Sequence, residues 1–375
     1  MGLFEVYDLL DIEPVEAKGA YLWDKQGEKY LDFYGGHAVI SIGHSHPVYV
    51  EKLTRQLHKI GFYSNAVVNS LQEELAMKLG RISGYEDYKL FLCNSGAEAN
   101  ENALKLASFI NGRDKILAFK GAFHGRTSAA VAITDNPGIQ APVNQHHKVT
   151  FISLNDAQAL ERELMSGVYA AVIVEGIQGV GGIRVAEDEF LCRMRKGCDQ
   201  TGTWMVVDEI QCGYARSGKF FSHQYAGIRP DIITMAKGMG NGFPIGGVLI
   251  AGGIPAKKGM LGTTFGGSHL ACAAALAVLE VIDKEYVVNN AAGLGKYLMQ
   301  ELRKIKGVTE VRGRGLMIGV DTEIPQKEVR SRLLKEHHIL SGYSGSYTLR
   351  LLPALTITRK EADEFLKAFR EIMQA

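Results

Sequence analysis

Between residues 70 and 235, short apolar runs alternate with stretches of helical periodicity, and this alternation constrains the fold more than any other feature of the chain. KLFLC (89–93), KILAF (115–119), AAVIVE (170–175), WMVVD (204–208) and DIITM (231–235) read as short buried strands. Helical patterns at 71–81, 97–109 and 189–201 lie between them. Strands spaced by helices predict an α/β fold, a mostly parallel sheet covered by helices on both faces. Ligands of such sheets bind beyond the carboxyl ends of the strands. The polar residues that close those strands are therefore where chemistry is expected.

The flanking segments read differently. Residues 19–47 form a hairpin around Gln26-Gly27 and then a loop, and a helix follows at 47–58. Beyond residue 268 come helices at 269–282, 294–306, 326–337 and 360–373, with strands at 311–320 and 347–351. That order suggests a smaller α+β unit. A chain of 375 residues has room for two or three units at ~150 residues each. The expected division is an N-terminal segment (1–50) packing with the small domain, a large ligand-binding domain (51–268) and a C-terminal small domain (269–375).

Composition narrows the function by exclusion. A formal charge of +1 provides no global field for nucleic acid or an anionic membrane. The five cysteines contain no C-x-x-C pair, so neither a zinc site nor a disulfide framework is supported, and reduced thiols of a cytoplasmic protein are the simpler reading. The start, MGLFEVYDLLDIEP, lacks a basic-then-apolar leader pattern. The longest apolar run, 270–279, is half the ~20 residues that span a bilayer. His37, His44 and His46 sit in loop sequence without a carboxylate or cysteine at ligand spacing, so turn roles are expected and no metal.

Lys237 stands in TMAKGMGNGFPIGG, where an apolar strand runs into Gly238, Gly240, Gly242, Gly246 and Gly247. Glycines let backbone close around a bound group. A lysine delivered there is a candidate Schiff-base nucleophile, although alone it reads more readily as a surface lysine at a strand end. Asp208 closes WMVVD, and a carboxylate so placed needs a cationic or hydrogen-bonding partner, such as a pyridinium nitrogen or the end of a neighbouring helix. Gln211 and Ile210 follow within reach of the same ligand. Ser95, Gly96 and Ala97 open a helix directly after KLFLC, an arrangement that suits a phosphate but also describes ordinary capping. Phe123 and Arg126, in the loop after KILAF, suit ring stacking and a substrate carboxylate. Taken together these residues make pyridoxal phosphate the economical ligand.

At this point the chain resembles the class III pyridoxal-phosphate aminotransferases, and within them the acetylornithine/succinylornithine aminotransferase group. The resemblance is carried by LWDKQGEKYLDF, GHSHP, NSGAEANENALKLA, AFHGRT, VDEIQCGYARSGKFF, AKGMGNGFPIGG, GTTFGGSHLACAAALAVLE and RGRGLMIGV, in family order from about residue 7 to 355. It implies a fold type I aminotransferase working as a homodimer with shared active sites, without nucleic-acid or membrane partners. Lys237 would carry the cofactor and move protons, and Asp208 would hold the pyridine nitrogen. Ser95, Gly96 and Ala97 would bind phosphate, Phe123 would stack on the ring, and Gln211 would touch the ring hydroxyl. Thr264 would reach the phosphate of the other subunit, with Thr263 near the substrate. Arg126 and Arg350 would take substrate carboxylates, and two arginines at opposite ends of a site suit a dicarboxylate such as glutamate. The implied reaction moves the terminal amino group of an acylated ornithine to 2-oxoglutarate. One departure bears on substrate. Where the family has E-P-[IV]-Q-G-E-G-G this chain has EGIQGVGG (175–182), so Val180 replaces a glutamate that can mask the arginine matched by Arg350. Either Arg350 stays free for an anion, such as the extra carboxylate of a succinyl group, or another carboxylate masks it.

Overall fold

The computed structural model describes residues 1–374. Its centre is a seven-stranded sheet in the order Lys89–Cys93, Gly246–Ile250, Ile232–Met235, Trp204–Asp208, Tyr169–Glu175, Lys115–Phe119, Lys148–Ile152. All strands run parallel except Gly246–Ile250, which pairs antiparallel with both neighbours. The expected α/β sheet is thus present, with one reversed strand. Side chains alternate across it. Leu117, Val172, Val174, Met205 and Val207 pack beneath the helices Ala157–Met165 and Asp188–Thr201. Ile116, Ala118, Ala171, Ile173 and Val206 face the helix Gly96–Asn111 through its Ala99, Ala103 and Ala107. Both faces are buried, which is why the strands read as apolar runs without alternation.

A second seven-stranded sheet joins the two ends of the chain. Its order is Pro14–Lys18, Tyr21–Asp24, Lys29–Phe33, Ile339–Ser344, Thr348–Leu351, Met317–Thr322, Val308–Arg314. The seam is the parallel pairing of Leu31, Asp32 and Phe33 with Ile339, Leu340 and Ser341. The helix His269–Lys284 packs on Pro47–Leu57 and Ser70–Ser83.

Two expectations for the C-terminal part are corrected. The stretch 311–320 is a hairpin, not one strand: Val308–Arg314 turns through Gly315 into Met317–Thr322. Gly315 has φ +56°, and a Cβ there would lie 2.4 Å from the Ser217 carbonyl carbon and 2.5 Å from the Arg216 oxygen. The helix expected at 294–306 runs instead over Val287–Leu302, because its buried stripe, Val287, Ala291, Leu294, Leu298 and Leu302, starts a full two turns earlier. Gly295 within it does not break the helix. It permits contact with the hairpin, since a Cβ there would meet the Gly315 oxygen at 2.0 Å.

The tight backbone packing at the hairpin makes a stability prediction. Gly315→Ala should lower the unfolding free energy by roughly 3 kcal/mol or more, through the strained φ and the overlap together. Denaturant titration of the apoprotein measures this, and a loss below about 1 kcal/mol would refute the packing described.

Candidate active site

The parallel strands end on one edge, and one cavity opens there, lined by Gly96, Ala97, Phe123, Glu175, Asp208, Gln211 and Lys237 among others. Glu175 and Asp208 are ladder partners on adjacent strands, so both carboxylates meet the cavity at the same level. Thr234 pairs with Asp208 on the next strand, and Lys237 lies three residues on.

Lys237 adopts φ +45°, a left-handed conformation that an unbranched L-residue enters only at a cost of about 1 kcal/mol or more. The N-terminal segment holds it there. Asn241 Oδ1 accepts from the Ser41 and Ile42 N–H groups at 2.8 and 3.0 Å, and Asn241 Nδ2 donates to the Gly43 oxygen. Ser41 Oγ donates to the Gly238 oxygen at 2.7 Å, and the Tyr49 hydroxyl to the Gly240 oxygen at 2.9 Å. The lysine amine is buried. Burial pulls its pKa below the usual lysine value, against the attraction of Asp208 and Glu175. A neutral amine is the nucleophilic form.

Asp208, 3% exposed, is the best-supported group in the site. Its Oδ2 accepts from Asn100 Nδ2 at 2.8 Å and from His124 Nδ1 at 2.7 Å, and its Oδ1 from the Ile210 N–H at 3.0 Å. Thr234 Oγ1 in turn donates to Asn100 Oδ1 at 2.7 Å. Burial alone would depress the His124 imidazole, but the hydrogen bond and charge of Asp208 override it and leave its pKa raised. Glu175 has fewer donors, the N–H groups of Phe123 and Gly179, both at 3.0 Å. Burial pushes its pKa up to about 7, with the Asp208 charge adding to the effect and His124 opposing it.

The opposite wall is the start of the helix Gly96–Asn111. Ser95 Oγ accepts from the Glu98 N–H at 3.2 Å, and Glu98 accepts from the Asn94 N–H at 2.8 Å, so capping is real. Gly96 and Ala97 nevertheless line the cavity. A Cβ on Gly96 would sit 2.8 Å from Ile210 Cδ1, so glycine is what keeps this end open. Two buried polar atoms in the site, Gln211 Oε1 and His124 Nε2, have no partner. A cradle at a helix N-terminus, unpartnered polar atoms, a supported carboxylate and a buried amine together fit pyridoxal phosphate.

Most of the residues singled out from sequence meet here: Gly96, Ala97, Phe123, Arg126, Asp208, Gln211 and Lys237. Arg350 is buried and does not line this cavity. Its Nε donates to the Tyr343 oxygen at 2.7 Å and its Nη1 has no partner. Thr263 lies apart, in a groove with Asn65 and Gln72, where its Oγ1 accepts from Asn94 Nδ2 at 3.1 Å. Thr264 is exposed. Glu175, His124 and Asn100 were not singled out. Glu175 closes AAVIVE just as Asp208 closes WMVVD, so the strand-end criterion carried the signal. His124 and Asn100 needed the fold to bring them to Asp208.

An α/β sheet with these groups at its carboxyl edge defines a pyridoxal-phosphate enzyme of the fold type I aminotransferase kind. The chain matches the family Aminotransferase class-III over residues 5–373. It is 39% identical over 383 residues to the acetylornithine aminotransferase of Bacillus subtilis, covering 100% of this chain and 97% of that one. It is 37% identical to that of Methanosarcina mazei over 95% of this chain and 90% of the relative. Among solved structures, ornithine aminotransferase from Toxoplasma gondii superposes with a TM-score of 0.91 at 30% identity, covering 98% of this chain and 91% of that one. A second structure of that enzyme has partial occupancy of pyridoxal phosphate at its active site. Acetylornithine aminotransferase from Elizabethkingia anophelis gives 0.85 at 30% identity, over 98% and 95% of the two chains. The chain belongs to the class III aminotransferases and is a pyridoxal-phosphate-dependent transaminase.

The raised Glu175 pKa carries a pH prediction. Its unfolded value is near 4.5 and its folded value about 7, so the folded state favours the protonated form. Stability from this group is fully present below 4.5 and is lost as pH rises to 7, levelling off above. Glu175→Gln should remove that slope in the apoprotein. The variant loses one N–H acceptor at every pH, yet its Tm relative to wild type should be higher at pH 8 than at pH 4.5. Equal Tm differences at both values would show that Glu175 is not held protonated.

Proposed function

We propose that the protein moves the terminal amino group of an N-acylated ornithine to 2-oxoglutarate, giving the semialdehyde and glutamate, as a step of arginine biosynthesis. The observation that carries this reading is a half-buried Lys237 sharing one cavity with Asp208. The full-length similarity to acetylornithine aminotransferases supports the choice of substrate. Bound in that cavity, pyridoxal phosphate supplies an electron sink for the bond broken at the amino-bearing carbon.

The chain's own groups do the rest. Lys237, whose amine burial makes easier to deprotonate, would take a proton from one carbon and return it to another. Asp208, fixed by His124 and Asn100, would keep a proton on the pyridine nitrogen. The N–H groups at Gly96 and Ala97, with Ser95, would bind the phosphate, and Phe123 and Ile210 would pack on the ring. Gln211 Oε1 would accept from the ring hydroxyl. Arg126 and Arg350 orient substrate carboxylates at opposite ends. Thr263 and Thr264, outside the cavity of a single chain, serve the neighbouring site of a homodimer. The division 1–50, 51–268 and 269–375 and a cytoplasmic location complete the reading. No helix among the described residues is long and apolar enough to cross a membrane.

Two experiments test it. Loaded with pyridoxal phosphate, wild-type protein should turn over acylornithine with 2-oxoglutarate, Lys237→Ala should not, and Asp208→Asn should lose roughly 10²–10³-fold in kcat. Turnover surviving in Lys237→Ala would overturn the mechanism. A donor panel with ornithine and 4-aminobutyrate checks substrate, and preference for either over both acylornithines would reassign it within the family.

Val180 bears on the acyl group. It borders the cavity where relatives place the masking glutamate, and Arg350 pairs with no carboxylate among the described residues. A free guanidinium favours a donor with an added carboxylate. We expect kcat/KM for N-succinylornithine to exceed that for N-acetylornithine by about tenfold, the equivalent of one charge-assisted hydrogen bond. A clear acetyl preference would remove the idea that Arg350 serves the acyl arm.

A further inference from the structure

A second arginine stands beside Arg350. Arg330 projects from the helix Gln326–His337, with its Nε donating to the Ser341 oxygen at 3.2 Å and its guanidinium 4.3 Å above the Tyr343 ring. Arg350 pairs with Gly342 in the adjoining strand and donates to the Tyr343 oxygen. Two backbone oxygens of one strand, those of Ser341 and Tyr343, therefore receive the two guanidinium Nε groups.

Neither arginine lines the catalytic cavity itself, but Tyr34 connects their strand to its wall. Gly342 has no side chain because the Tyr34 ring occupies the space, and a Cβ would lie 2.9 Å from Tyr34 Cδ2. The Tyr34 hydroxyl contacts His37 Nδ1 at 2.6 Å, and the His37 carbonyl accepts from Gln211 Nε2 at 3.1 Å. Gln211 is part of the cavity wall.

Both arginines lack an acid. Arg312 and Arg195, similarly sheltered, pair with Asp321 and Asp231 at 2.7 Å. Among the described residues neither Arg330 nor Arg350 makes an ion pair. Arg350 is only 5% exposed and its Nη1 is buried without an acceptor. Burial depresses its pKa against the attraction of Tyr34 and Glu175, and the Arg330 charge works with burial. Two sheltered cations without a counter-ion are costly unless an anion completes them.

We propose that Arg330 is a further substrate-binding residue, the second guanidinium of a two-arginine site that, with the Arg350 Nη1 donor, holds one carboxylate of the dicarboxylate co-substrate. This rests on the transaminase reading above. A purely structural Arg330, stacked on Tyr343 and capping a carbonyl, is the alternative, and the two separate kinetically.

The test uses the cofactor-loaded enzyme at saturating acylornithine. Arg330→Met should raise KM for 2-oxoglutarate about tenfold while kcat at saturation changes by less than about twofold. Arg330→Lys should recover most of that KM, since it keeps the charge without the fork. The same Met variant should leave KM for N-acetylornithine near its wild-type value, because that donor brings no second carboxylate. An unchanged KM for 2-oxoglutarate, or a loss shared equally by all substrates and not rescued by lysine, would overturn the assignment. Failure of the transaminase reading would look different: wild-type enzyme would then not consume 2-oxoglutarate with any amine donor.

Discussion

The site depends on keeping a buried amine and two buried carboxylates apart in function although they share one cavity. Charges a few ångströms apart in a protein interior interact by several kcal/mol, so Lys237, Asp208 and Glu175 would settle into an inert ion cluster if nothing else held them. The fold prevents this by giving each its own donors. Asp208 receives an imidazole, an amide and a backbone N–H. Glu175 receives two backbone N–H groups and is pushed up to about 7 by burial. The lysine is held by its backbone instead, through Asn241 and Ser41, with its amine left desolvated. Charge is thus placed by hydrogen bonds, and the amine stays free to react.

The strand end at 208–209 extends the same logic to both sides. Asp208 faces the cavity. Glu209, its neighbour, faces away and is wholly buried among the Ser222 and His223 N–H groups, Ser222 Oγ and His223 Nδ1. His223 Nε2 then meets the Tyr85 hydroxyl at 2.6 Å. Two adjacent acids on opposite sides, each fully bonded, stop the strand end from rotating. The direction of the Asp208 carboxylate is fixed from behind as well as from in front.

Much of this was legible in the sequence, and the limits are physical. Strands 89–93, 115–119 and 204–208 could be read directly because two buried faces leave only apolar residues. Gly246–Ile250 and Ile339–Ser344 escaped because glycines that admit neighbouring side chains and backbone interrupt the pattern, as Gly246 does against the Ser95 oxygen. The hairpin at Gly315 was hidden because its turn, Gly315-Leu316, carries no polar turn residue between the strands. In the site, Lys237 and Asp208 stood out because a charged residue closes an apolar run. His124 and Asn100 did not, because their partner is 84 and 108 residues away in the chain. Those pairings exist only once the sheet has formed.

Two buried arginines show how hydrogen bonding separates scaffold from site. Arg216 is fully enclosed and also pairs with no carboxylate among the described residues, and burial pulls its pKa to about 9. Its guanidinium is nonetheless met by the carbonyl oxygens of Leu316, Pro353 and Ile40, tying three distant segments together two residues from Leu351, where the Arg350 strand ends. Arg350 receives one carbonyl and keeps a buried donor unspent. Equal burial with unequal satisfaction means different work. Backbone oxygens complete the first cation as a structural joint, whereas the second is complete only when an anion arrives. With valine at 180 in place of an acid, no side chain at that position is able to take the unspent donor.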